Sequence, residues 1–291
     1  MIKTELSHAE DKREKTAVRL CKTHPLAAYF TLAFAFTWLI LSPGVAATVG
    51  LLNFAFEGTV LTIASGLGPL LAAVVVTGAA AGKSGVRQMC ARRLARRAQA
   101  KWWAAALLLM AGLFAISATL SWFISGTVPN ARDGIYLNGG NSLIVILLLL
   151  LGAFGEEVGW RGFALPKLQE KHTPLKATFI LTLFWWLWHL PTYWTLPLAL
   201  NAVAQYGFIA AFGIQFVVLL ALSVLCTWVY NGSGGVVLLP VLLHAGWNFW
   251  SGALGQEVAL FLLPLLLLTA VAVGLSTKGK LGFAARQHLA R

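Results

Sequence analysis

Eight apolar runs divide this chain, at 26–47, 59–82, 102–124, 142–165, 175–196, 205–230, 235–250 and 257–275. A helix needs about 20 apolar residues to cross a bilayer. In the hydrocarbon core every backbone N–H and C=O must be satisfied within the protein, and a helix does this on its own. The runs therefore predict an all-α, polytopic membrane helix bundle of about eight transmembrane helices. The seventh run is short and Pro240 interrupts it, which is tolerated where protein or a water-filled cavity surrounds the break. Composition excludes the main alternatives. With 58% apolar and 11% charged residues and a mean hydropathy of +0.76, the chain has too few polar groups to cover a water-soluble globule. The same numbers exclude intrinsic disorder. Cys21, Cys90 and Cys226 are odd in number and far apart, so they make neither a disulfide framework nor a metal knuckle.

The net charge of +12 reports topology rather than nucleic-acid binding. Basic residues concentrate in the 1–25 tail, the 83–101 and 166–176 connections and the 276–291 tail. With eight spans, all four segments fall on one side, and the positive-inside rule makes that side cytoplasmic. Both termini are therefore predicted to be cytoplasmic. Arg132, in the 125–141 loop, and Arg161, inside a span, are the exceptions. The first run exceeds a signal-peptide core and reads as an uncleaved anchor. The basic 83–101 stretch suits anionic lipid headgroups. The organisation predicted is a basic tail (1–25), a helix bundle (26–275) and a second basic tail (276–291).

Ionisable residues inside spans are costly and mark function by default. They cluster in three places: Glu156, Glu157 and Arg161 in the fourth run, His189 in the fifth, and His244 with Asn248 in the seventh. Gly152, Gly155, Gly159 and Gly162 share one face of the fourth helix, where small residues let another backbone approach closely. Glu156 borders that stripe. Glu157 points away from it and stands four residues before Arg161, the favourable order for an ion pair. Glu156 is thereby left without a local partner. His244 and Asn248, also four apart, share a face.

A carboxylate and an imidazole on one water make a general-base device. A second His and an Asn can donate to an oxyanion. The set suits amide or ester hydrolysis. Glu156, His189 and His244 are also a possible zinc set, although there is no HExxH motif. The residues alone leave open metal-activated or Glu-activated water. They also leave open an ion-coupled transporter that uses the same Glu and His as a proton relay, and a non-catalytic membrane partner.

The three motifs resemble a known family. EEVGWR (156–161) matches EExxxR, WLWHLP (186–191) resembles the FxxxH block, and HAGWN (244–248) matches HxxxN. In this order they resemble the CPBP family of intramembrane proteases, which includes type II CAAX prenyl proteases and bacteriocin-immunity-associated members. The resemblance puts a protease-like core at about 142–250. It implies that Glu156 and His189 activate water, that His244 and Asn248 stabilise the oxyanion, and that Glu157 and Arg161 support them. The family's Phe four residues before the His is Trp185 here. A metal-free mechanism is favoured over zinc, because a third zinc ligand is not obvious. The expected partners are a peptide or membrane-tethered protein substrate and anionic lipid, with no nucleic acid. The expected location is a bacterial cell membrane. A bacteriocin-immunity role without catalysis is the alternative that the resemblance adds.

Overall fold

The computed structural model describes residue 16 and residues 18–53, 58–94, 98–126, 142–253 and 259–283. Most of the two basic tails and the loop carrying Arg132 lie outside these residues. Among the described residues the elements are helical, with no strand. Helix α1 is Pro25–Thr48, α2 Gly58–Ser65, α3 Leu67–Leu94 and α4 Ala100–Ser125. Helix α5, Ser142–Gly159, runs through a π-helical turn, Trp160–Ala164, into α6, Leu165–Gln169. Helix α7 is Pro174–Trp188, followed by a 3-10 turn, Leu190–Trp194. Then come α8, Pro197–Tyr206, α9, Phe208–Gly232, α10, Leu238–Ala253, and α11, Ala259–Ser276.

Among the described residues five stretches are long and apolar enough to cross a membrane by length and composition: Pro25–Thr48, Leu61–Met89, Ala100–Ser125, Leu143–Gln169 and Phe208–Gly232. Helices α7 and α10 are shorter, at 15 and 16 residues, and Phe261–Ser276 is a shorter apolar helix as well. Each apolar run of the sequence holds at least one of these helices. The protein is an integral, multi-pass membrane protein with an all-α bundle.

Three boundaries differ from the sequence expectation, each for a local reason. The fifth run does not continue to 196. Pro191 has no N–H to give and its ring crowds the carbonyl four residues earlier, so the α-helix stops at Trp188. Pro240 does not interrupt the seventh span. It lies in the first turn of α10, where the missing N–H would have no helical partner anyway. Between the fifth and sixth runs the chain adds α8, which is separated from α9 by Gly207 at φ 77°. Glycine carries this conformation without a Cβ clash.

Helix α5 is central to the packing. It lies against α3 on one side and α10 on the other, while α1 packs on α3, α4 on α10, and α7 and α11 on α9. The glycines explain the first contact. A Cβ on Gly155 would lie 2.5 Å from the Gly66 carbonyl, and one on Gly159 2.5 Å from both Pro69 and the Tyr29 hydroxyl. Gly152 abuts Ile63 at ordinary contact distance. Gly162 leaves the stripe: its Cβ would meet only Val158, Val237 and the Glu157 carbonyl, at 3.7 Å. The π turn adds a residue to the helical repeat and so rotates Gly162 off the face that a 3.6-residue period assigns it.

The far end of α7 is pinned from other helices. Trp38 Nε1 on α1 donates to the Trp188 carbonyl at 3.1 Å. Trp186 Nε1 donates to Phe212 O on α9 at 2.9 Å. Tyr193 Oη donates to Ala211 O at 3.1 Å. Thr48 Oγ1 donates to Trp194 O at 2.6 Å. These bonds hold the α7 terminus, and with it His189, against the bundle.

Candidate active site

Two adjacent carboxylates at the end of α5 enter different environments. Glu157 and Arg161 are fully buried. Arg161 Nη1 donates to Glu157 Oε1 at 2.7 Å, as the i, i+4 spacing predicts. Two residues on other helices complete this cluster. Arg161 Nη2 donates to Ser223 Oγ on α9 at 2.9 Å. His244 Nδ1 on α10 lies 3.0 Å from Glu157 Oε1. A carboxylate oxygen only accepts, so Nδ1 carries the proton in this contact. Glu157 therefore ties α5 to α10, and Arg161 ties it to α9.

Glu156 takes no part in that network. Its Oε2 accepts from Trp185 Nε1 at 2.7 Å, and it keeps 8% exposure where Glu157 has none. Trp185 is itself fully buried on α7. The Arg161 guanidinium stands over its ring, 4.6 Å from the centroid. The His244 imidazole meets the same indole edge-on at 5.2 Å. One turn later, His189 Nδ1 lies 2.7 Å from the Trp185 carbonyl. That carbonyl can only accept, so Nδ1–H donates and the second ring nitrogen keeps its lone pair. His189 caps α7 and is half-buried, between the rings of Trp185 and Trp188.

The structure thus brings Glu156, Glu157, Arg161, Trp185, His189 and His244 into one connected set. Asn248 follows one turn after His244 on α10 and is half-buried. Its carbonyl accepts from Ser251 Oγ at 3.1 Å. Two contributions were not read from the sequence. Ser223 gave no signal, because a hydroxyl in an apolar span normally bonds its own helix. Trp185 stands where the resemblance has a Phe, and the contact to Glu156 comes from the indole N–H that a Phe lacks.

Among the described residues no three His, Cys, Asp or Glu side chains gather closely enough to hold a metal ion, the possible zinc set of Glu156, His189 and His244 included.

Comparison with known proteins agrees with the motif reading. Residues 138–250 match the family described as type II CAAX prenyl endopeptidase Rce1-like. A curated protein of Methanococcus maripaludis, named CAAX prenyl protease 2, is 29% identical over 142 residues, which cover 47% of this chain and 51% of that protein. The match thus spans about half the length of that curated relative. Both findings support the resemblance to the CPBP family, and the matched segment carries all three motifs.

Proposed function

We propose that the protein is an intramembrane endopeptidase that hydrolyses a peptide bond in a membrane-associated, CAAX-like substrate, with water activated by Glu156 and His189. The observation that carries this reading is the separation of the two carboxylates. Glu157 is fully buried and paired through Oε1 with Arg161 and His244. Glu156 is held by one oxygen only and keeps some exposure, as a base that must reach a water requires. The match to an endopeptidase family and to a prenyl protease supports the same reaction. Neither names a carrier or an immunity protein.

In this scheme Glu156 takes a proton from water as the oxygen attacks the scissile carbonyl carbon, with the free nitrogen of His189 accepting from the same water. The C–N bond then breaks. The proton passes to the leaving nitrogen, giving a carboxylate and an amine. His244 and Asn248 stabilise the intermediate oxyanion. Because His244 Nδ1 donates to Glu157, its other nitrogen can donate to an oxyanion only as the imidazolium.

The test is cleavage of membrane-tethered peptides, with and without a prenylated CAAX-like end, by purified protein in liposomes. Wild type should cut, and Glu156→Gln should lose about 10²–10⁴-fold in turnover, the range of a general base. A strong chelator should leave the wild-type rate unchanged. Turnover by Glu156→Gln at the wild-type rate would sink the assignment. Loss on chelation with recovery on zinc would replace Glu-activated water by metal-activated water.

A further inference from the structure

Trp185 touches both groups that the scheme above assigns to water activation. Its indole N–H reaches Glu156 Oε2 at 2.7 Å, a length typical of a bond to a charged acceptor. Its backbone carbonyl takes the His189 Nδ1 proton at 2.7 Å. The ring has little freedom to turn. It is fully buried, faced by the Arg161 guanidinium at 4.6 Å and flanked by His244 at 5.2 Å. The terminal torsion of a glutamate, by contrast, is broad and nearly two-fold. An unassisted carboxylate in this place samples many orientations. The N–H fixes Oε2 and thereby leaves Oε1, which no described residue bonds, as the oxygen directed at a reacting water.

We propose that Trp185 is a positioning residue of this site, selecting through its indole N–H which oxygen of Glu156 acts as base. The inference rests on the endopeptidase reading. It departs from what the FxxxH resemblance implies, because phenylalanine at this place packs but has no proton to donate. The ion-pair cluster thus reaches the catalytic carboxylate indirectly: Arg161 and His244 hold the indole, and the indole holds Glu156.

Two substitutions separate the bond from the bulk. Trp185→Phe removes the donor and some volume. Benzothienylalanine at position 185 keeps the bicyclic ring and removes the N–H alone. In liposomes with the membrane-tethered peptide, both should lower kcat about ten- to a hundredfold, the usual effect of losing a group that orients a functional residue. KM should stay within about twofold, since an orienting bond acts on the reacting geometry rather than on uniform binding. A benzothienylalanine protein with wild-type kcat would overturn the proposal and leave Trp185 a packing residue. Glu156→Gln runs beside them: if it turns over normally the endopeptidase reading fails, whereas its inactivity beside an unimpaired Trp185→Phe defeats the positioning role alone. Difference infrared spectroscopy gives a readout independent of turnover. The carboxyl band assigned by Glu156→Gln should shift in Trp185→Phe, and an unmoved band would also overturn the proposal.

Discussion

Glu156 and Glu157 are neighbours in sequence, yet the walls around them differ in kind. Glu157 faces a guanidinium, an imidazole and, through Arg161, a hydroxyl, drawn from three helices. Glu156 faces one indole N–H and retains a little accessible surface. The first environment pairs a buried charge through Oε1, with Oε2 buried and not hydrogen-bonded among the described residues, and joins α5 to α9 and α10. The second holds a carboxylate while leaving part of it available. One residue of helical rotation, about 100°, separates the carboxylate paired within the bundle from the one proposed as the base.

Substitutions that keep shape but remove charge should split along that line. The largest effect belongs to Glu156→Gln: turnover falls about 10²–10⁴-fold while the melting temperature stays near wild type. A large drop in melting temperature would instead make Glu156 structural. Glu157→Gln should do the reverse. It leaves the fully buried Arg161 without its carboxylate, and breaking a buried pair costs about 3–5 kcal/mol. A melting curve in detergent should show this, whereas an unshifted curve would contradict the role given to the cluster.

The remaining changes sharpen the comparison without touching either carboxylate. Gly159→Ala places a methyl against Pro69 and the Tyr29 hydroxyl. It should force α5 from α1 and α3 at about 1–3 kcal/mol, the usual cost of overpacking. Gly162→Ala, across the π turn, should be nearly silent in the same melting experiment. Ser223→Ala removes one of the hydrogen bonds of Arg161 and should cost about 0.5–1.5 kcal/mol, with little change in the turnover of the folded protein.

How much of this could be read beforehand follows from whether the relevant contact is local. The Glu157–Arg161 pair was legible because both partners lie on one helix at i, i+4. The close approach at Gly155 and Gly159 was legible because a small-residue stripe states which face is shared. Gly162 was misplaced because the π turn at Trp160–Ala164 changes the helical repeat, and nothing in the spacing announces it. Trp185 and Ser223 reach their partners across helices, so their bonds depend on how α7 and α9 are docked. The end of α7 at Trp188 was available in principle from Pro191. A continuous apolar run through residue 196 outweighed that local signal.

In the proposed site, adjacent carboxylates divide chemistry from stability. The most direct test measures kcat and melting temperature together for wild type, Glu156→Gln and Glu157→Gln, in one lipid preparation with one membrane-tethered CAAX-like peptide. The expected result is an inactive but thermally normal Glu156→Gln protein, and a Glu157→Gln protein whose melting temperature falls. Equal losses of stability in the two variants, or normal turnover by Glu156→Gln, would contradict it.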